Sequence, residues 1–157
     1  ISKLQSVLFD EIRGNEWVDL MEEAYPVTDW IEDKRTIYQK YDLPWPIQDR
    51  DYVMTQKRNF NVDTKTITAT YQSVESQKKT QQECCIRAYA QRTYWKMEAL
   101  PNGQTKVAVE VQTDPKGALP SLLINMIQKD WPYNSITSLT KQAQRENIVP
   151  ASTTSEW

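Results

Sequence analysis

The 157-residue chain contains no histidine. That absence removes Ser-His-Asp and Cys-His nucleophilic chemistry, and histidine-based metal sites with it. Cysteine is almost absent too. Cys84 and Cys85 stand side by side, without the CxxC spacing of a redox or zinc motif. Disulfide geometry is demanding for sequence neighbours, so both are expected as small, unpaired strand residues. With only 3 glycines and 8 prolines against 25% charged residues, the composition is that of a globular chain and not a low-complexity one. The formal net charge is -2, and Lys and Arg are scattered. No basic stripe exists to follow a phosphate backbone, which argues against a nucleic-acid partner. No apolar run nears the roughly 20 residues of a membrane span, and no secretory leader pattern opens the chain. The compartment is left open: cytoplasmic, periplasmic or secreted. Carboxylates are plentiful, yet no pair sits on a scaffold that assigns acid and base roles. No cofactor motif is present.

What the chain does have is aromatic side chains with polar tips: 6 Trp and 8 Tyr against 2 Phe. Such residues suit an apolar cavity wall with polar points, and equally an ordinary core. The length fits one domain with a substantial core, assigned here to residues 1–148, with 149–157 as a flexible tail.

Leu4, Val7, Leu8 and Ile12 recur at helical spacing, with Ser2 as a candidate N-cap and Gly14 as the stop. A helical turn from Glu16 to Met21 follows, halted by Pro26. Arg35 to Tyr41 alternates as a strand. Then comes the most informative stretch, Leu43 to Tyr52, reading LPWPIQDRDY. Pro44 and Pro46 break one strand before the next begins. Asp49-Arg50-Asp51 can pin that corner through charge-assisted hydrogen bonds. Further strands are expected over Tyr52–Asn61, Ile67–Val74, Cys84–Tyr89, Thr93–Ala99 and Lys106–Gln112, with a polar loop at Gln77–Glu83 and a hairpin at Pro101-Asn102-Gly103. After a turn at Asp114–Gly117, Pro120 starts a long C-terminal helix carrying Leu119, Leu122, Leu123, Met126, Ile127, Ile136, Leu139 and Ala143 on its apolar positions. Pro132 predicts a kink near Trp131. Helices, then antiparallel strands, then one long helix is an α+β order, and a sheet curled on a helix leaves a gap in which a ligand fits.

The proline corner resembles the strand-joining signature of START domains, the lipid-transfer modules related to steroidogenic acute regulatory protein. FDEIRGNEWVDLM, CIRAYAQRTYW and TDPKGALPSLLINMI resemble three further stretches of that family, in the family's order, covering about Phe9 to Glu146. The resemblance implies a helix-grip fold: a curved antiparallel sheet wrapped around a long C-terminal helix, enclosing a hydrophobic tunnel. It implies non-catalytic binding and transfer, or sensing, of a lipid, fatty acid or sterol-like ligand, with transient membrane contact.

On that fold, Ile37, Gln39 and Tyr41 face inward from one strand and Tyr52, Met54 and Gln56 from the next. Ile67, Ala69 and Tyr71, then Thr93, Trp95 and Met97, then Val107, Val109 and Val111 continue the lining. Leu123, Ile124, Ile127, Trp131 and Leu139 close it from the helix, with Pro132 and Gly117 as flex points. The same stripes also arise from plain core packing. Sterol-binding members carry a buried acid and an arginine near Gln39 and Gln56, which puts sterol as the ligand in doubt. The family's first strands would precede Ile1, so an open sheet edge and a dimer through it are further expectations. An alternative on the same scaffold is a polyketide cyclase or aromatase, using Arg87, Arg92, Tyr71 or Tyr94.

Overall fold

A computed structural model describes residues 1–154 and 157, apart from the side chains at 126 and 128. Expectations that fall on Met126, and on positions 155 and 156 of the tail, lie outside the described residues.

The chain opens with α1 (Ser2–Phe9), which buries Gln5, Val7 and Leu8. Ser2 lies inside the helix and Ile1 occupies the cap position, where no side chain caps it. The Ser6 hydroxyl donates instead to the Ser2 carbonyl. The helix stops at Asp10, earlier than Gly14, and a separate 3₁₀ segment, Glu11–Glu16, carries the chain on. This is why Ile12, expected on the apolar stripe, is exposed.

Seven strands follow: β1 (Met21–Pro26), β2 (Lys34–Tyr41), β3 (Asp49–Asn61), β4 (Thr66–Ser73), β5 (Cys85–Arg87), β6 (Tyr89–Ala99) and β7 (Thr105–Asp114). They form one sheet in the order β1-β2-β3-β4-β6-β7, with β5 pairing in parallel beside the start of β3. All other pairs are antiparallel. β1 was not expected. The spacing predicts a helical turn up to Met21, but Leu20 takes a left-handed backbone (φ 62°) that ends the 3₁₀ region and turns the chain into the sheet. A register shift between Met21 and Glu23 then blurs the strand's alternation. A second bulge lies between Ala90 and Arg92. The extra residue there lets Ala90 and Thr93 both face the concave side, and it joins two runs that alternation alone separates.

The concave face carries the main core, in which Ile37, Ile67, Met97 and Leu139 are fully buried. Tyr38 and Val53 point the other way and are equally buried. The Lys79 ammonium sits 3.9 Å from the Tyr38 ring, so the loop before β5 shields part of the convex face. Cys84 and Cys85, expected to stay apart, are bonded to each other at the start of that strand. Cys84 is exposed while Cys85 is buried.

The C-terminal helix is not one rod. α2 (Ser121–Asn125) passes through a π-helical turn (Met126–Asp130) into α3 (Trp131–Ala143), with Pro132 in α3's first turn. The missing proline N–H is harmless there, and the irregular turn takes the place of the expected kink. Beyond α3 the chain returns to α1. The Ser6 hydroxyl donates to the Val149 carbonyl, and buried Thr154 donates to Gln5 Oε1 at 2.7 Å. Among the described residues no helix is long and apolar enough to cross a membrane.

Candidate ligand cavity

Three segments close over the concave face: the 3₁₀ region with the turn after it, the β2–β3 corner, and the π turn running into α3. Between them and the strands lies a cavity with about 140 Å³ in which the centre of a water molecule can sit. An apolar void of similar size is enough for a benzene-sized guest. Its wall is mostly hydrocarbon and indole: Leu8, Trp17, Val18, Met21, Leu43, Met54, Ala90, Trp95, Val111, Ile127 and Trp131. Trp17 and Trp95 meet edge to face, with ring centroids 6.3 Å apart. At the rim Asn134 donates to Asp19 at 3.1 Å, tying α3 to the turn before β1.

The polar points are organised around Glu11. This carboxylate is buried at the start of the 3₁₀ segment. Its Oε1 accepts from Gln56 Nε2 at 2.7 Å and from Arg35 at 3.3 Å, while Oε2 accepts from Gln39 at 3.4 Å. Arg35 also donates to Gln56 Oε1 at 2.6 Å and to the Phe9 carbonyl at 3.0 Å, and its guanidinium lies over Trp30. Gln56 further donates to the Tyr71 hydroxyl, and Tyr41 to Gln39 Oε1. Burial pushes the Glu11 carboxyl above its ordinary range, against the attraction of Arg35 and the three donors. Burial likewise raises Tyr41 and Tyr52, and Tyr71 rises through burial and the neighbouring Glu11 charge. All three phenols therefore remain neutral donors at physiological pH. The indole N–H of Trp17 is buried with no hydrogen-bond partner among the described residues.

Of the side chains put forward from alternation, Gln39, Tyr41, Tyr52, Met54, Tyr71, Thr93, Trp95 and Val111 line this cavity, as do Ile127 and Trp131 from the helical side. Ile37, Ile67, Ala69, Met97 and Leu139 lie in solid core, with Val107 and Val109 packed against it. Gln56 sits just behind the wall, in the Glu11 network. Leu123 is buried away from the cavity lining, and Ile124 is exposed. The void thus occupies one end of the space between sheet and helices, and packed side chains fill the other.

Sequence reasoning missed Glu11, Gly14, Trp17, Val18, Leu20 and Leu43. All belong to the turns that frame the opening, where no period of two or of 3.6 marks a face. Gly14, expected as a helix stop, is buried, and a Cβ there would come within 2.6 Å of Met21 Sδ. A buried acid and an arginine do stand beside Gln39 and Gln56: Glu11 from the 3₁₀ segment and Arg35 from β2.

The Asp49-Arg50-Asp51 triplet fixes more than one corner. Asp49 accepts from the Leu43 amide at 3.1 Å. Arg50 donates to the carbonyls of Gln48, Pro115 and Lys116, which holds the β7–α2 turn. Asp51 receives two bonds from Arg87, at 2.8 and 3.0 Å. Arg92 and Tyr94 alternate with inward Thr93 and Trp95 and so lie on the convex side, where the Arg92 guanidinium stacks 4.5 Å from the Tyr94 ring.

Comparison with known proteins agrees with this architecture. The START domain family model matches residues 2–145. The phosphatidylcholine transfer protein of Mus musculus is 25% identical over 143 residues, covering 90% of this chain and 66% of that protein. The chain spans between about half and two thirds of the curated relatives it matches, 52% in one case and 66% in the other. Human STARD10 superposes with a TM-score of 0.79 at 19% identity, over 90% of this chain and 57% of its own. A STAR-related lipid transfer protein fragment from Xanthomonas axonopodis gives 0.75 at 18% identity, over 91% of this chain and 78% of that one. The Zhui aromatase/cyclase of Streptomyces shares the fold more distantly, at 0.53 and 8% identity over 92% of this chain and 86% of its own. With a match running from the first turn of α1 to just past α3, and a curved sheet gripping those helices, the chain belongs to the START domain family.

Proposed function

We propose that this chain binds one hydrophobic, lipid-like molecule in the cavity over the concave face and carries or senses it without catalysing a reaction. The observation that supports this most is the wall itself. Trp17, Trp95, Trp131 and Met54 surround a void that the protein's own side chains leave unfilled, while the far end of the same layer is densely packed. Each CH₂ buried there contributes on the order of 0.8 kcal/mol, so several of them support micromolar binding after ordering costs. The mouse relative is named for phosphatidylcholine transfer and the bacterial structure for lipid transfer, which favours the same class of activity. Of the residues put forward for a cyclase, Tyr71 alone lines the cavity, where its hydroxyl accepts from Gln56, and the other three lie elsewhere. Arg87 is held by Asp51, and Arg92 and Tyr94 lie on the convex side.

Mass spectrometry of small molecules extracted from the purified native protein tests the reading. A consistent apolar species in about equimolar amount is the expected result. A protein that emerges empty and also refuses fluorescent fatty acids and sterols overturns it.

Transient bilayer contact belongs to the same proposal and is placed at the rim. Trp45 is 93% exposed, two residues from Leu43 in the cavity wall, and Leu122 and Tyr133 are 82% and 73% exposed on the helices that close the cavity. Exposed indole and phenol rings favour the membrane interface over water. Trp45→Ala is expected to weaken vesicle binding several-fold in a flotation assay, with the thermal midpoint unchanged. Equal flotation of the two proteins removes Trp45 from the contact.

A further inference from the structure

Away from the cavity, the bonded pair Cys84–Cys85 carries chemistry that lipid binding leaves unused. Its two sulfurs are not equivalent. Cys84 is exposed, whereas Cys85 is buried and begins β5 opposite Asp49. Thiol–disulfide exchange requires a thiolate to reach the sulfur it attacks, so solvent-borne thiols meet Cys84 first and Cys85 is the natural leaving group.

The bond stands at a thin point of the fold. β5 is three residues long and lies along the start of β3. The loop before it is fastened by long or exposed contacts. The Cys85 amide donates to the Gln82 carbonyl at 3.4 Å, Gln48 donates to the Cys84 carbonyl at 3.4 Å, and Arg87 donates to the carbonyls of Lys79 and Thr80. Such segments open locally without unfolding the rest. Arg87, gripped by Asp51, anchors the far end of β5, so the strand frays from its cysteine end and stays tethered. Its middle residue meets the rim of the cavity. Ile86 pairs with Arg50, whose guanidinium holds the Pro115 and Lys116 carbonyls, and a Cβ on Gly117 would lie 3.1 Å from Ile86 Cδ1. Arg50 and Pro115 both line the cavity.

We propose that Cys84 is the entry point of a redox switch: a dithiol reductant opens the Cys84–Cys85 bond by attack on Cys84 Sγ, and the opening frees β5 and loosens the turn after β7 at the cavity rim. A bond forms between the reductant's sulfur and Cys84 Sγ, the Cys84–Cys85 bond breaks, and its electron pair leaves on Cys85, which takes up a proton. The reductant's second thiolate then attacks its own sulfur in the mixed disulfide and releases Cys84, which is protonated in turn. Two electrons and two protons have passed to the protein, and the dithiol has become a disulfide. A monothiol fares worse, because the neighbouring Cys85 sulfur re-attacks the mixed disulfide and expels it. The switch does not depend on what fills the cavity.

The test starts from the intact protein oxidised with glutathione disulfide. Dithiothreitol followed by N-ethylmaleimide is expected to alkylate both cysteines, and 2-mercaptoethanol at equal thiol concentration to open only about a tenth as much protein. A protein that keeps two free thiols in glutathione disulfide overturns the proposal, and equal opening by the monothiol overturns the resolving step. Quenched early in a large excess of 2-mercaptoethanol, the trapped intermediate is expected to carry the thiol on Cys84 and the alkyl group on Cys85. The reverse placement overturns entry at Cys84. Reduction is expected to speed hydrogen exchange about tenfold at residues 82–87 and several-fold at 116–124, with the centres of β4 and β6 unchanged. Unaltered exchange in fully reduced protein overturns the switch, as does acceleration across the whole sheet, and acceleration that stops at β5 overturns the link to the rim. Cys84→Ser combined with Cys85→Ser is expected to exchange like the reduced protein and to ignore dithiothreitol. A response to dithiothreitol in that variant overturns the assignment to this pair.

Discussion

At the scale of single residues, buried charge among the described residues is met either by an opposite charge or by backbone carbonyls. Asp51 has no exposed surface, and both of its oxygens are taken by Arg87, whose side chain is 23% exposed. Removing one partner of such a pair strands the other, which costs about 3–5 kcal/mol in a dry interior. Because water reaches part of Arg87, the expected loss for Asp51→Ala is smaller, about 2–3 kcal/mol. A urea midpoint that falls with an unchanged slope is the outcome that reports it. Asp51→Asn keeps an acceptor and should lose about half as much. The neighbouring Arg50 shows the contrasting solution, a guanidinium that gives three hydrogen bonds to carbonyls.

At the scale of elements, the turns decide where the void lies. Arg50 fastens the β7–α2 turn to the start of β3, and a Cβ on Gly117 (φ +66°) in that turn would come within 3.1 Å of Ile86 Cδ1. Arg50→Ala should therefore loosen residues 115–124 locally. Hydrogen exchange is expected to speed up there, with the centres of β6 and β7 unaffected, and stability to fall by about 1.5–3 kcal/mol for the charged hydrogen bonds lost. Equal acceleration across the sheet would mean that Arg50 holds the fold and not the turn. The strands themselves were legible in advance because alternation is a direct record of two faces. Val107, Val109 and Val111 point one way, and Ala108, Glu110 and Gln112 the other. β1 was illegible because Glu22 and Glu23 sit side by side at a bulge, so no clean period survives. Tyr38 and Val53 were illegible as buried because a distant loop, and not their own strands, covers them. The inward stripes and the helix positions named ten of the 25 lining residues, fewer than half. Most of the rest comes from the 3₁₀ segment and its flanks, where burial depends on what packs above.

For the whole molecule, two glutamates of one short segment give the stability curve opposite slopes. Glu16 is exposed and bound by Arg13, Gln142 and Arg145, a knot that ties the 3₁₀ segment to α3. Hydrogen bonds from Arg13 first, then from Gln142, lower its carboxyl to about 2. Below its unfolded value of about 4.5 the unfolded chain takes up a proton that the folded chain resists, so stability falls as pH drops from there towards 2. Glu11 behaves in the reverse sense. Burial raises its carboxyl, so between 4.5 and the higher folded value the native state binds the proton more tightly, and its favourable contribution is lost as pH rises through that window. Urea midpoints measured from pH 3 to 8 should show both limbs. Glu16→Gln is expected to flatten the acid limb alone, and Glu11→Gln the limb towards neutrality alone. If Glu11→Gln instead left the upper limb unchanged, Arg35 would be compensating the buried carboxylate in full.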